Sequence, residues 1–100
     1  MVMKEAIKLP VLVQKEEIVN FRFPAQEVLL TPDAIKIRRR ELERCTTLGN
    51  MERNKIKIIF EDIDGLKKVE TTIWATTEKS IILKGGVTIP IHRIREIKIY

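Results

Sequence analysis

The residues most able to do chemistry are arginines and lysines. Lys36, Arg38, Arg39, Arg40, Arg44, Arg53, Lys55 and Lys57 crowd into twenty-two positions that hold only three acidic groups. The chain as a whole carries +5, so this block (itself +5) and the last twenty-two residues (+4) hold the excess, while residues 58–78 come to −3. A clustered excess of this kind can grip an anion, whereas a scattered one mostly confers solubility. Lys36, Arg39, Arg40, Arg44, Arg53 and Lys55 are therefore the candidate contacts to phosphate or nucleic acid, and Trp74, the single tryptophan, is a candidate stacking residue. The bland alternative for the arginines is a solvated helix face laced by the i,i+4 pair Arg39–Glu43. For Trp74 it is burial in the core beneath the helix or the N-terminal arm, and that is the expected placement.

Catalytic constellations fit poorly. One histidine, His92, and one cysteine, Cys45, fall on different elements, so no nucleophile–base–carboxylate set is expected and the chain reads as non-enzymatic. No metal-ligand cluster and no cofactor motif is legible; Gly85-Gly86 lacks the rest of a phosphate loop. Glu61, Asp62 and Asp64 resemble a calcium loop only superficially, since strands are expected on both sides, and they read as a polar turn. His92 beside Arg93 reads as surface structure, and Cys45, on an apolar stripe, as a small hydrophobe.

The elements that must position these groups follow from periodicity. One hundred residues, 44% hydrophobic and 33% charged, make one globular domain with an aliphatic core. A lone cysteine gives no internal disulfide, the N-terminus has no signal-peptide pattern, and no apolar run approaches a membrane span, so the cytoplasm is the expected compartment and no membrane partner is expected. Residues 1–30 alternate weakly, with Val19, Phe21 and Phe23 suggesting a short strand near 17–23, and read as edge strands or extended arms. Residues 31–48 carry a helix signature: Thr31 as N-cap, Pro32 at the first position and Asp33 at the positive end of the dipole. Ala34, Ile35, Ile37, Leu42, Cys45 and Leu48 form its apolar stripe, with Arg38 and Glu41 inside the arc, pairing with each other or with groups on the sheet. Gly49-Asn50 is the expected C-cap.

Residues 55–100 read as five short antiparallel strands: Lys55–Glu61, Lys67–Thr76, Ser80–Lys84, a strand through Val87, Ile89 and Ile91, and Ile94–Tyr100. Asp64-Gly65 and Gly85-Gly86 are the turns, and a brief bend falls at His92-Arg93. The expected class is α+β, mostly β: one amphipathic helix followed by a five-stranded small barrel or strongly bent sheet. That element order, over residues 31–100, resembles the Sm-like and SH3-like small barrels. The stretches Arg38-Arg-Arg-Glu-Leu, Leu48-Gly-Asn50, Glu70-Thr-Thr-Ile-Trp-Ala75, Leu83-Lys-Gly-Gly86 and Ile89-Pro-Ile-His-Arg-Ile94 resemble a group of small uncharacterised bacterial proteins, which implies no particular activity. Arg40-Glu-Leu-Glu-Arg44 matches the spaced arginines of cyclic-dinucleotide-binding PilZ domains, but the accompanying Asp-x-Ser-x-x-Gly is not matched by Asp62-Ile-Asp-Gly-Leu-Lys67. Two functions are thus expected: a module contacting RNA or DNA through a basic helix face, or a protein-interaction or self-assembly domain (a homo-oligomer) using exposed sheet edges.

Overall fold

A computed structural model of the chain describes residues 9–52 and 55–99, with the side chains of residues 48–52 outside the description. The fold is α+β and mostly sheet. A two-residue strand β1 (Val11–Leu12) and a 3-10 helix (Lys15–Asn20) precede the α-helix α1 (Pro32–Glu52). Six strands follow: β2 (Ile56–Asp62), β3 (Gly65–Thr71), β4 (Ile73–Thr76), β5 (Ser80–Leu83), β6 (Thr88–Pro90) and β7 (Ile94–Ile99), with a second 3-10 turn (Ile91–Arg93) before the last.

The strands divide into a four-stranded sheet, order β1-β3-β2-β7, and a three-stranded sheet, order β4-β5-β6. All pairings are antiparallel except β1 with β3, where Val11 faces Lys67 and Leu12 faces Lys68. No ladder among the described residues closes the two sheets into a barrel. The expected single strand Lys67–Thr76 is two strands: it breaks at Thr72, and its halves enter different sheets. Alternation survives the break, with Val69, Thr71 and Ile73 buried and Glu70 and Trp74 exposed, so periodicity alone could not reveal it.

Helix α1 starts where the capping residues predict. Thr31 Oγ1 accepts the Ala34 N–H (3.1 Å) and the Thr31 carbonyl accepts that of Ile35. The stop at Gly49-Asn50 does not occur, since α1 runs on to Glu52; a glycine costs a helix about 1 kcal/mol but ends it only where the left-handed conformation is adopted. The buried line of the helix is Arg38, Leu42 and Cys45, at i, i+4 and i+7, with Ala34 and Ile35 half-buried. Ile37, expected on the stripe, is 56% exposed. The stripe is rotated because Arg38 takes a central place in it. Its guanidinium donates through Nη1 and Nη2 to the Glu27 carboxylate (2.7 and 2.6 Å) and through Nη1 to the Ile94 carbonyl of β7 (3.1 Å). Of the two expected arrangements for Arg38, the bond to a sheet group is the one present, and Glu41 pairs with Arg44. Leu48 lies among the side chains not described.

The core fills the space between the sheets and α1. Ile56, Ile58 and Phe60 of β2 meet Val69, Ile73, Ile81, Leu83, Ile89 and Ile94, with Leu42 and Cys45 from the helix. The N-terminal segment closes one side. Its expected strand near 17–23 is instead the 3-10 helix, capped by reciprocal bonds between Gln14 and Glu17. That helix sends Ile18 into the core and leaves Val19 outside. Phe21 and Phe23 follow in extended chain and flank Phe60, ring centroids 6.4 and 6.0 Å away. Tertiary packing has here overridden a weak alternation. β1 does match the expected edge strand.

The last 3-10 turn, at the expected bend, ties this segment down. His92, expected at the surface, is half-buried, and its neighbour Arg93 is buried and donates from Nη1 to the Gln26 carbonyl (2.7 Å) and from Nε to that of Glu61 (3.0 Å). His92 Nε2 meets the Pro24 carbonyl at 2.9 Å.

Candidate nucleic-acid interface

The basic residues singled out above fall in two places. On α1, Lys36, Arg40 and Arg44 are exposed, as expected for positions off the stripe. Arg39 is half-buried, because its Nη1 donates to the Thr77 carbonyl (2.8 Å) just beyond β4 while its Nε lies 3.6 Å from Glu43. Arg39 is therefore a strut between helix and sheet as well as a charge. Arg44 lies 3.3 Å from Glu41. The helix face thus presents four cations against Glu41 and Glu43, a net positive surface with two of its charges engaged. Arg53 lies outside the described residues.

The second place is a groove of about 750 Å³ where the two sheets part. The cause is the break at Thr72. β3 ends in the first sheet, β4 begins in the second, and between them the Thr72 carbonyl accepts the Lys84 N–H (2.9 Å). Lys55 stands immediately before β2, and Lys84 precedes the Gly85-Gly86 turn. There both glycines hold positive φ (+90° and +88°), the backbone that glycine adopts freely. Lys15 crosses above that turn, its Cε 3.5 Å from where a Cβ on Gly85 would lie. Lys15, Lys55, Lys84 and Trp74 all line the groove, with Glu16 and Glu70 as its acidic members. Lys15 and Glu16 pair at 2.5 Å, and that hydrogen bond holds the Glu16 carboxyl below its ordinary range.

Trp74 corrects the sequence reading. It lies on the expected strand face, but the expected cover by the helix or the N-terminal arm does not extend over it, and the residue is 50% exposed. The helix packs on β4 through Thr46, whose hydroxyl meets that of Thr76 (2.6 Å), and through Arg39 at Thr77, which leaves Trp74 outside the cover. Of the candidate site residues, the groove brings together Lys55 and Trp74 and does not include Lys36, Arg39, Arg40 or Arg44. Lys15 and Lys84 were missed. The one local signal was Lys84 beside a glycine pair; Lys15 reaches the groove only through tertiary folding.

The remaining candidates behave as structure. Asp62 is buried and accepts hydrogen bonds from the N–H groups of Asp64 and Gly65 and from Lys67 Nζ (2.9 Å), which makes it the hub of a polar turn. Cys45 is fully buried, and desolvation followed by the nearby Glu41 charge raises its thiol pKa, so it packs as a small apolar group. Among the described residues no group of three or more histidines, cysteines and carboxylates could hold a metal ion, and no helix is long and apolar enough to cross a membrane.

No family model matches this chain, and no curated protein or solved structure is significantly similar to it.

Proposed function

We propose that this protein is a small non-enzymatic binding module that contacts RNA or DNA through its basic surfaces. The observation that carries the reading is the solvent-facing set Lys36, Arg40 and Arg44 on one helix, joined by Lys55 immediately before β2. Cations fixed on regular elements meet phosphates without first having to be ordered, and each contact releases condensed counterions. The order of helix, strands and a 3-10 turn before the last strand supports a relationship to Sm-like or SH3-like small barrels, with the two sheets as the halves of a strongly bent one.

The test is a salt series. With four phosphate contacts on a single strand, the logarithm of the binding constant should fall with a slope near −2.8 against the logarithm of salt, about 50-fold between 50 and 200 mM. Absence of binding at low salt overturns the reading.

A second reading rests on β1, a short edge strand that exposes Val11 and Leu12 next to an exposed Leu9. A second copy pairing along that edge would make the protein a self-assembling domain. A strictly monomeric mass at micromolar concentration overturns it.

A further inference from the structure

We infer that the groove between the sheets is a stacking site for an unpaired base of single-stranded RNA or DNA, with Trp74 as the platform and Lys15, Lys55 and Lys84 as contacts to the flanking phosphates. This rests on the nucleic-acid reading above and narrows it, from any phosphate chain to one whose bases are free.

Three features argue for it. The first is exposure: among the described residues Trp74 is the largest of the exposed apolar side chains and the one aromatic among them, and it lines a concavity. The second is the company it keeps. An aromatic side chain that shares its groove with three lysines matches a ligand that offers a flat π-system next to negative charge, which is the chemistry of a nucleotide. At about 750 Å³ the groove falls within the roughly 300–1,000 Å³ of small-ligand sites, so it suits a nucleotide or two rather than a helix lying in it.

The third feature is the pair of carboxylates, Glu16 and Glu70, on the same walls. They oppose a ligand whose side chains are all carboxylates, such as an acidic peptide. They suit a ligand that brings hydrogen-bond donors with its charge, as the amino groups of adenine and cytosine do. In a duplex those base faces are stacked on their neighbours and cannot reach the indole.

Trp74 is the only tryptophan, so intrinsic fluorescence reports this site alone. The full chain would be titrated at low salt with end-labelled octanucleotides of alternating adenine and cytosine, as RNA and as DNA. A duplex of the same sequence and an octamer of glutamate would serve as further ligands. Label anisotropy follows binding anywhere on the protein. The inference expects Trp74 fluorescence to change along the same curve as the anisotropy for one or both single strands, and expects the duplex to bind without that change. Trp74→Ala should weaken single-strand binding by about 5- to 150-fold, the range of one base–aromatic stack, and Trp74→Phe should recover part of it.

If single strands bind by anisotropy while the fluorescence and the Trp74→Ala affinity stay unchanged, the stacking site is wrong and the nucleic-acid reading stands. If neither strand binds, both fall together. If the glutamate octamer perturbs Trp74 as tightly as the oligonucleotides, the groove is a peptide site and the inference is overturned.

Discussion

Replacing Glu27 by alanine would strand the guanidinium of Arg38 inside the protein. The Arg38 side chain is 5% exposed, and Glu27 takes two of its three hydrogen bonds. Its Nε, buried, has no hydrogen-bond partner among the described residues. After Glu27→Ala the buried charge would keep only the Ile94 carbonyl. Breaking a buried pair from one side costs about 3–5 kcal/mol. The Glu27 side chain is 29% exposed, so water can enter the vacated place, which puts the cost near the lower figure. For a domain of this size about 3 kcal/mol is roughly 14 °C in Tm.

Arg38→Met removes the charge and the orphaned Nε together and fills most of the same volume. It leaves a carboxylate that water can reach and that still accepts the Leu29 N–H. The deprived Ile94 carbonyl accounts for about 1 kcal/mol, near 5 °C. Thermal unfolding at neutral pH, followed by circular dichroism, measures both variants. A loss for Arg38→Met as large as that for Glu27→Ala would refute the reasoning.

The same pair sets a pH dependence. The Arg38 hydrogen bonds, opposed by desolvation and aided by the Leu29 N–H, hold the Glu27 carboxyl below its ordinary value of 4.5. A carboxyl lowered in the folded state contributes stability that is complete above its unfolded value and lost as pH falls through the folded one. Wild-type Tm should therefore decline from about pH 5 downward, and Glu27→Ala should lack that part of the decline.

Other substitutions test the packing. Ile37→Gln should change stability by less than about 0.5 kcal/mol, because the side chain is mostly in water. Leu42→Ala, five positions on and fully buried, should cost about 2–5 kcal/mol in urea unfolding. Gly86→Ala should cost about 1–2 kcal/mol from backbone strain alone, since φ is +88° and a Cβ there would meet nothing within 4 Å.

What was legible in the sequence was local. Thr31-Pro32 started the helix through a bond three residues long, Asp62 and Gly65 made their own turn, and Ile56, Ile58 and Phe60 announced a strand with one buried face. What was not legible depended on partners far along the chain. A buried arginine in a helix stripe makes sense only with Glu27, eleven residues away, and Ile94, fifty-six away. Arg38 is legible as lying inside the stripe, but that its guanidinium is buried at the centre, with Ile37 turned to solvent, is not. The break at Thr72 is invisible to a period-2 pattern that continues across it, yet it creates the groove. The basic helix face was visible as composition; the groove lysines Lys15 and Lys84 were not, since sixty-nine positions separate them.

The central claim is that fixed cations on α1 and immediately before β2 bind nucleic acid. Comparing wild type with the Lys36→Ala, Arg40→Ala, Arg44→Ala triple variant over a salt series on a single-stranded octanucleotide tests it most directly. None of the three is buried, so the fold should be retained, as circular dichroism would verify. Each lost contact should reduce the steepness by about 0.7, so the salt slope should shrink by about 2.1, with weaker binding at every salt concentration. An unchanged slope and affinity in the triple variant would contradict the account.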